Sequence, residues 1–318
     1  MTISAKTTPK RQQQRALGYG RELEQAFDEV RDRFPFPETY LRGKFFKFEL
    51  VASLLQDHVP RDATVLSLGA GACDVEAGLS VLGYQVTGID DYNEPWHLMG
   101  DNRERIIEFA ADMGVTAIRR DAVMATVEDD SFDAVLILDV IEHMHNSPRE
   151  LLNYAASKAK EGGVVIVLTP NAAHLANRLK LLTGKTNHTS LEGYYWSTYS
   201  FRGHVREYTE AELREVLADY HGLEIVDTRL LNNMVYWAEL DGPLQNLVRA
   251  AYIRVCEAYP RFRDTMVMVG RKPSGWTATP PKVSEYKKYY TYIEKCNLDG
   301  LSDEELLEAY RTAYQTGE

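Results

Sequence analysis

The sequence predicts an α/β protein whose mostly parallel sheet is flanked by helices. Three observations carry that reading. Between residues 63 and 169, short apolar runs alternate with longer segments of helical periodicity, the pattern of successive βαβ units. The first run, Val65-Leu66-Ser67-Leu68, ends in the turn Gly69-Ala70-Gly71 and passes directly into a helix. The second run ends on the paired carboxylates Asp90 and Asp91, at the strand edge where open parallel sheets gather ligands.

The elements follow in order. Residues 1–20 are polar, rich in Gln, Thr and Lys, and read as disordered. Over 21–59 apolar residues recur at helical spacing, from Leu23, Phe27 and Val30 to Phe48, Val51 and Leu55, with Pro35 and Pro37 separating two helices. Strands are expected at 64–68, 85–89, 116–119, 132–138 and 164–168, with helices at about 74–82, 95–113 and 147–160 between them. Pro148 is placed at the first position of the last of these helices. An aromatic-rich irregular stretch, 171–207, precedes a helix over 209–220, where Thr209 and Glu212 fit a capping box. A strand at about 223–231, a helix at about 243–258 and a strand at 265–269 complete the main domain. Prolines mark 272–282 as a linker, and a short helix starts near Ser302 with Glu305 three residues on. The expected organisation is an N-terminal helical segment (1–60), a main domain (61–272) with insertions at about 171–207 and 232–263, and a linker with a helical tail (273–318).

Bulk properties narrow the function. The 318 residues, 44% hydrophobic, suffice for a sizeable core. A formal net charge of −11 argues against a broad phosphate-binding surface, so no nucleic-acid partner is expected. Cys73, Cys256 and Cys296 are far apart and lack metal-ligand spacing, which fits a reducing compartment. The basic start lacks an apolar run and no stretch is long enough to cross a bilayer, so a cytoplasmic protein without membrane insertion is expected.

Gly69 and Gly71 let the backbone turn tightly and approach a ligand at a helix N-terminus. A dinucleotide fingerprint would place a third glycine at position 74, where this chain has Asp74. A carboxylate there repels a diphosphate, so an adenosine cofactor without phosphates fits better than NAD or FAD. Asp90 is placed to accept hydrogen bonds from ribose hydroxyls, and Asp121 from an adenine amino group.

These segments together resemble the class I S-adenosylmethionine-dependent methyltransferases, in particular the branch of ubiquinone-biosynthesis O-methyltransferases and bacterial sugar and natural-product enzymes. The matching pieces are VLSLGAGACD (65–74), VTGIDD (86–91), RRDA (119–122), FDAVLILDVIEHMHNSPRELL (132–152), EGGVVIVLTPN (161–171) and HVREYTEAELREVL (204–217). The resemblance implies a Rossmann-like sheet of seven strands, the last antiparallel, and S-adenosyl-L-methionine as cofactor. It adds Ala70, Ala122 and Asp139 to the cofactor side, with Gly69, Gly71, Asp90 and Asp121. The chain departs from the family where Ser67 replaces an acidic residue and Cys73 a glycine, both near the cofactor's methionine end.

On the acceptor side, His143 matches the family's Glu-His pair. It is read as the catalytic group, a general base for an acceptor hydroxyl or a group orienting it. Asp139, Glu142, His143 and His145 could ligate a divalent metal, but mixed carboxylates and histidines on one loop are ordinarily just polar, and no metal is expected. The stretch 186–206 reads as a lid. Tyr194, Tyr195, Trp196 and Tyr199 offer flat faces to a sugar or aromatic acceptor, and His188, Arg202, His204 and Arg206 offer polar contacts. The helix near 243–258 is a second wall or a dimer contact, which leaves a homo-oligomer open. The resulting expectation is an O-methyltransferase acting on a small molecule or saccharide. The alternatives are N- or C-methylation of a metabolite and a non-catalytic partner protein that binds the same cofactor.

Overall fold

The computed structural model describes residues 20–121, 125–197, 201–233 and 242–282, together with Ser302, Glu304, Glu305 and Glu308. The expectations for residues 1–19, for Ala122 and Tyr199, and for most of the C-terminal helix lie outside the described residues. The chain falls into two compact units that divide between Thr277 and Ala278. In the second, Ser302 and Glu305 form the expected capping box: the Ser302 N–H and hydroxyl both donate to Glu305 Oε2 at 2.8 Å.

The first unit holds a seven-stranded sheet. Its strands are β1 (Thr64–Leu68), β2 (Gln85–Asp90), β3 (Thr116–Arg119), β4 (Phe132–Leu138), β5 (Ala159–Pro170), β6 (Glu224–Leu231) and β7 (Thr265–Arg271). They lie in the order β3-β2-β1-β4-β5-β7-β6. The first five are parallel, and β7 runs antiparallel between β5 and β6, as expected. The helices are α1 (Arg21–Arg33), α2 (Lys44–His58), α3 (Asp74–Val81), α4 (Asn102–Asp112), α5 (Arg149–Lys158), α6 (Leu175–Leu182), α7 (Leu191–Tyr195), α8 (Glu210–Arg214) and α9 (Pro243–Ala258). Among the described residues no helix is long and apolar enough to cross a membrane.

Strand periodicity builds two cores. Val65, Ala134, Leu136, Val164 and Ile166 point to one face, where they meet Phe48, Val51 and Leu55 of α2 and Leu79 of α3. Leu66, Val135, Ile137, Val165 and Val167 point to the other, against Leu151, Leu152 and Ala155 of α5 and Leu213 of α8. Because both faces are covered, β1, β4 and β5 read as nearly unbroken apolar runs.

Several expected boundaries are corrected. The helix expected at 95–113 begins only at Asn102, since 95–101 is turn. Pro148 is the cap of α5, one place before its first residue. β5 starts at Ala159, so the preceding helix stops earlier than expected. The stretch 171–207 is not irregular throughout but contains α6 and α7. After α8, Glu215–Tyr220 continues as a π-helix, while the Thr209–Glu212 capping box forms in both halves.

Candidate active site

The C-terminal ends of the parallel strands meet where the strand order reverses between β1 and β4, the usual ligand edge of such sheets. Past β1, the N–H groups of Gly69 and Ala70 both donate to the Ile89 carbonyl, at 2.8 and 3.2 Å, and fold the turn over the end of β2. A side chain at Gly69 would put its Cβ 2.6 Å from Val140 Cγ2, and φ is +78°. Only glycine fits there. At Gly71 φ is +54° and nothing lies within 4 Å of a notional Cβ, so the backbone is open to a ligand. The Gly71 N–H donates to Asp90 Oδ2 at 2.8 Å and the Tyr92 N–H to Oδ1 at 2.7 Å. Each carboxylate oxygen therefore keeps a lone pair for a further donor. Ala70 is buried in the same turn. Asp121 is exposed beyond β3, and its neighbour Arg120 donates its N–H to the Asp90 carbonyl at 3.0 Å.

The two departures from the family pattern have local accounts. Ser67 Oγ donates to Glu76 Oε1 at 2.6 Å, so α3 brings a carboxyl group to a strand that carries none. Burial pushes Glu76 up to about 7, and the Ser67 hydroxyl offsets this only in part. Cys73 keeps the left-handed conformation, φ 57°, that a glycine adopts freely, and its Sγ lies 3.6 Å from the Tyr92 hydroxyl. Asp74 opens α3, where the helix dipole favours a carboxylate; it is 6% exposed and its Oδ2 has no hydrogen-bond partner.

Lys47 of α2 reaches this edge, with Nζ 2.5 Å from Asp139 Oδ2. Burial works against its charge, but Asp139, then Asp74 and Glu76, outweigh burial and hold the ammonium above its usual range. Asp139 itself sits at φ 57° just past β4, its N–H donating to the Leu168 carbonyl at 2.9 Å. Tyr40 borders the same carboxylates. Burial first, then Asp74 and Glu76, raise its phenol.

A second group forms beyond β4, in the turn Ile141–His143. Glu142 is fully buried. Its Oε2 accepts from Thr169 Oγ1 at 3.0 Å, while Oε1 has no partner. Burial, and next the charge of Asp139, push this carboxyl up to about 7. The Glu142 carbonyl accepts the N–H groups of Val205 and Arg206, at 2.7 and 3.2 Å. His143 Nδ1 lies 2.8 Å from the Arg202 carbonyl, and His145 Nε2 lies 2.7 Å from that of Phe201. A carbonyl can only accept, so His143 Nδ1 carries a proton, and in the neutral ring Nε2 keeps the lone pair. The His204 ring stands edge-on to His143 with centroids 4.9 Å apart. Its Nδ1 is 2.7 Å from Glu207 Oε1, a bond that raises the imidazole pKa. Glu207 is lowered in turn, because the His204 bond and charge outweigh its burial.

The expected acceptor residues divide into three sets. His188, His204 and Arg206 line one cavity of about 410 Å³ with Asn187, Thr189 and Glu207. Arg202 points elsewhere, donating to the Asn93 carbonyl at 3.3 Å and pairing with Glu94 at 3.6 Å. Tyr194, Tyr195 and Trp196 are exposed on and just after α7, where Tyr194 meets Phe201 edge-on and Tyr195 meets Trp196. Sequence reasoning missed Lys47, Glu76 and Glu207. Only Glu207 had a local signal, its spacing of three residues from His204. Lys47 and Glu76 lie on helices whose periodicity says nothing about which strand end they reach.

A family model described as a methyltransferase domain matches residues 40–228. Ubiquinone biosynthesis O-methyltransferases of two Rickettsia bellii strains are 25% identical over 125 residues, which cover 39% of this chain and 49% of theirs. The chain thus spans about half the length of the curated relatives it matches. Similar solved structures include a SAM-dependent methyltransferase from Archaeoglobus fulgidus, at 20% identity and TM-score 0.46, covering 74% of this chain and all of that one. Another is the 1,6-didemethyltoxoflavin-N1-methyltransferase of Burkholderia thailandensis with S-adenosylhomocysteine bound, at 16% identity and TM-score 0.46, covering 86% and 94% of the two chains.

Proposed function

The chain belongs to the methyltransferase-domain family, of the class I, S-adenosylmethionine-dependent kind, and on that premise we propose that it methylates a hydroxyl of a small molecule or saccharide. The residues at the sheet edge fit the cofactor. Gly71 presents open backbone, Asp90 keeps an acceptor position on each oxygen, and Asp74 holds a buried carboxylate oxygen without a partner. Gly69, Ala70 and Gly71 would border the ligand, Asp90 would accept the ribose hydroxyls, and Asp121 would face the adenine, with Asp139 nearby. Bound there, S-adenosylmethionine supplies a methyl group on a positively charged sulfur, open to in-line displacement.

The protein's own part is alignment, exclusion of water and care of the acceptor's proton. His143 takes up the acceptor hydroxyl's proton through Nε2. The observation that carries this is the Arg202 carbonyl on Nδ1, which fixes the tautomer that leaves Nε2 free. The polar side chains of His188, His204 and Arg206 in the cavity wall suit a hydroxyl-bearing acceptor, and the exposed aromatics of 194–196 give a lid faces to stack on it.

Three measurements test the reading. Calorimetry should show binding of S-adenosylmethionine and none of NAD. Labelled methyl transfer to a panel of phenols, sugars and amines should mark hydroxyls. In the His143→Ala variant kcat should drop about 100- to 10,000-fold with cofactor affinity nearly intact, the usual contribution of a general base. Normal turnover in that variant would remove His143 from the chemistry.

A further inference from the structure

The turn that follows Asp90, Tyr92-Asn93-Glu94, is held by three separate parts of the chain. Tyr92 stands at φ 50° with its side chain fully buried, a conformation that a bulky residue keeps only when its surroundings impose it. On β2's side, Asp90 Oδ1 accepts the Tyr92 N–H at 2.7 Å, and Asp91 Oδ1 accepts the Asn93 N–H at 2.9 Å. From α4, Arg103 donates through Nε and Nη2 to the Tyr92 carbonyl, at 3.3 and 3.0 Å. The third holder is Arg202, from the connection between β5 and α8. Its Nη2 donates to the Asn93 carbonyl at 3.3 Å, and its Nη1 lies 3.6 Å from Glu94 Oε1.

Arg202 therefore meets two sites through different atoms. Its guanidinium holds the turn behind Asp90, while its carbonyl accepts the His143 Nδ1 proton at 2.8 Å. One residue spans the distance between them. The guanidinium and Glu94 are 47% and 43% exposed, so the pair adds little to stability. What it fixes is position. The bond from His143 to a neutral carbonyl is itself worth only about 1 kcal/mol net, so a second tie on the same residue decides how constantly it is made.

We propose that Arg202 is a positioning residue that relays occupancy of the cofactor site to the acceptor base. Ribose hydroxyls donating to Asp90 fix its carboxylate, and with it the turn whose conformation that carboxylate imposes. The fixed turn presents the Asn93 carbonyl and Glu94 to the guanidinium. The Arg202 carbonyl then holds the His143 ring with Nε2 toward the acceptor. The base is thus set most firmly once the cofactor is in place, which favours cofactor binding before acceptor. This inference rests on the reading that Asp90 faces the ribose and that His143 serves the acceptor.

The test follows the His143 ring by nitrogen-15 NMR of the full chain with labelled histidine, at about pH 8.5, where an ordinary imidazole is neutral. Loss of a signal in His143→Gln assigns it. S-adenosylhomocysteine is the probe, since it carries the ribose and no transferable methyl group, and calorimetry on the same samples gives its Kd. Saturation should raise the ratio of the Nδ1–H to the Nε2–H form of His143 about 2- to 5-fold, the range of an exposed ion pair. Arg202→Ala keeps the backbone carbonyl but should abolish that rise, with S-adenosylhomocysteine still bound as proof of folding. Arg202→Lys, which retains a charged donor, should recover part of it. Glu94→Gln, which weakens the tie from the other side, should lose part of it. An equal rise in the native chain and in Arg202→Ala overturns the relay. So does a native His143 that ignores bound S-adenosylhomocysteine, and in both cases the methyltransferase reading stands. A native chain that binds no S-adenosylhomocysteine overturns the proposed function and the relay together.

Discussion

Asp90 accepts the N–H groups of Gly71 and Tyr92, so its carboxylate shapes the glycine turn as well as facing the ligand edge. Replacing it with Ala should weaken S-adenosylmethionine binding by about 1.5–3 kcal/mol, the range for hydrogen bonds to a charged group. It should also lower the unfolding midpoint, which a purely ligand-facing residue would not. Unchanged affinity in the folded variant would end the ribose assignment. Glu76 gives a pH signature of the opposite sign to most carboxylates. Its folded pKa is about 7 against an ordinary 4.5. Between those values the native chain holds a proton that the unfolded chain has released, so stability falls as pH rises through that window. At about 1.4 kcal/mol per unit the loss is on the order of 3 kcal/mol, complete above the folded pKa. Urea unfolding at about pH 5 and about pH 8 should show a slope that is smaller in Glu76→Gln, which keeps the Ser67 contact, while the likewise raised Glu142 carboxyl still contributes its own share in both proteins. An equal slope in both proteins would place the titration elsewhere.

The segment between β5 and α8 is the element whose behaviour the sequence reading anticipated least well. Length and aromatic content suggested one loose lid over 186–206. In the structure its last part is tied down, by Val205 and Arg206 on the Glu142 carbonyl and by the backbone of Phe201 and Arg202 on His145 and His143. The freer part lies around α7, where no side chain is buried. Limited proteolysis should therefore cut between α6 and Phe201 and spare 201–206, with protection when S-adenosylhomocysteine and acceptor are present. Equal resistance in both states would exclude a lid. The strands were legible because both faces of a parallel sheet must be apolar, and the Thr209 capping box because its two halves lie three residues apart. The Glu142–His143–His204 cluster was not, because it depends on where a long connection returns. Lys47 was not, because a helix's period fixes its buried face and not its distant target.

Across the whole molecule, the α2 lysine, the α3 carboxyls and the ends of β1, β2 and β4 converge on one edge, so ligand binding there should stabilise the first unit as a whole. At about 100-fold excess over Kd, S-adenosylhomocysteine should add about 2.7 kcal/mol to unfolding, with a rise of about 2–4 °C in Tm per kcal/mol for a domain of this class. A scan without any shift, in a chain that binds by calorimetry, would mean the site forms outside the cooperative unit. The Arg202 carbonyl on His143 has one more consequence. That bond is at once an orienting contact for the imidazole and the anchor from which a lid around α7 would hinge, so strain that opening puts on the anchor would reach the ring. Lid closure and acceptor affinity are then two readings of a single coupling free energy. Whatever factor the acceptor contributes to closure, closure returns to the acceptor, and a substitution in the lid far from the ring would be felt as weaker binding at it.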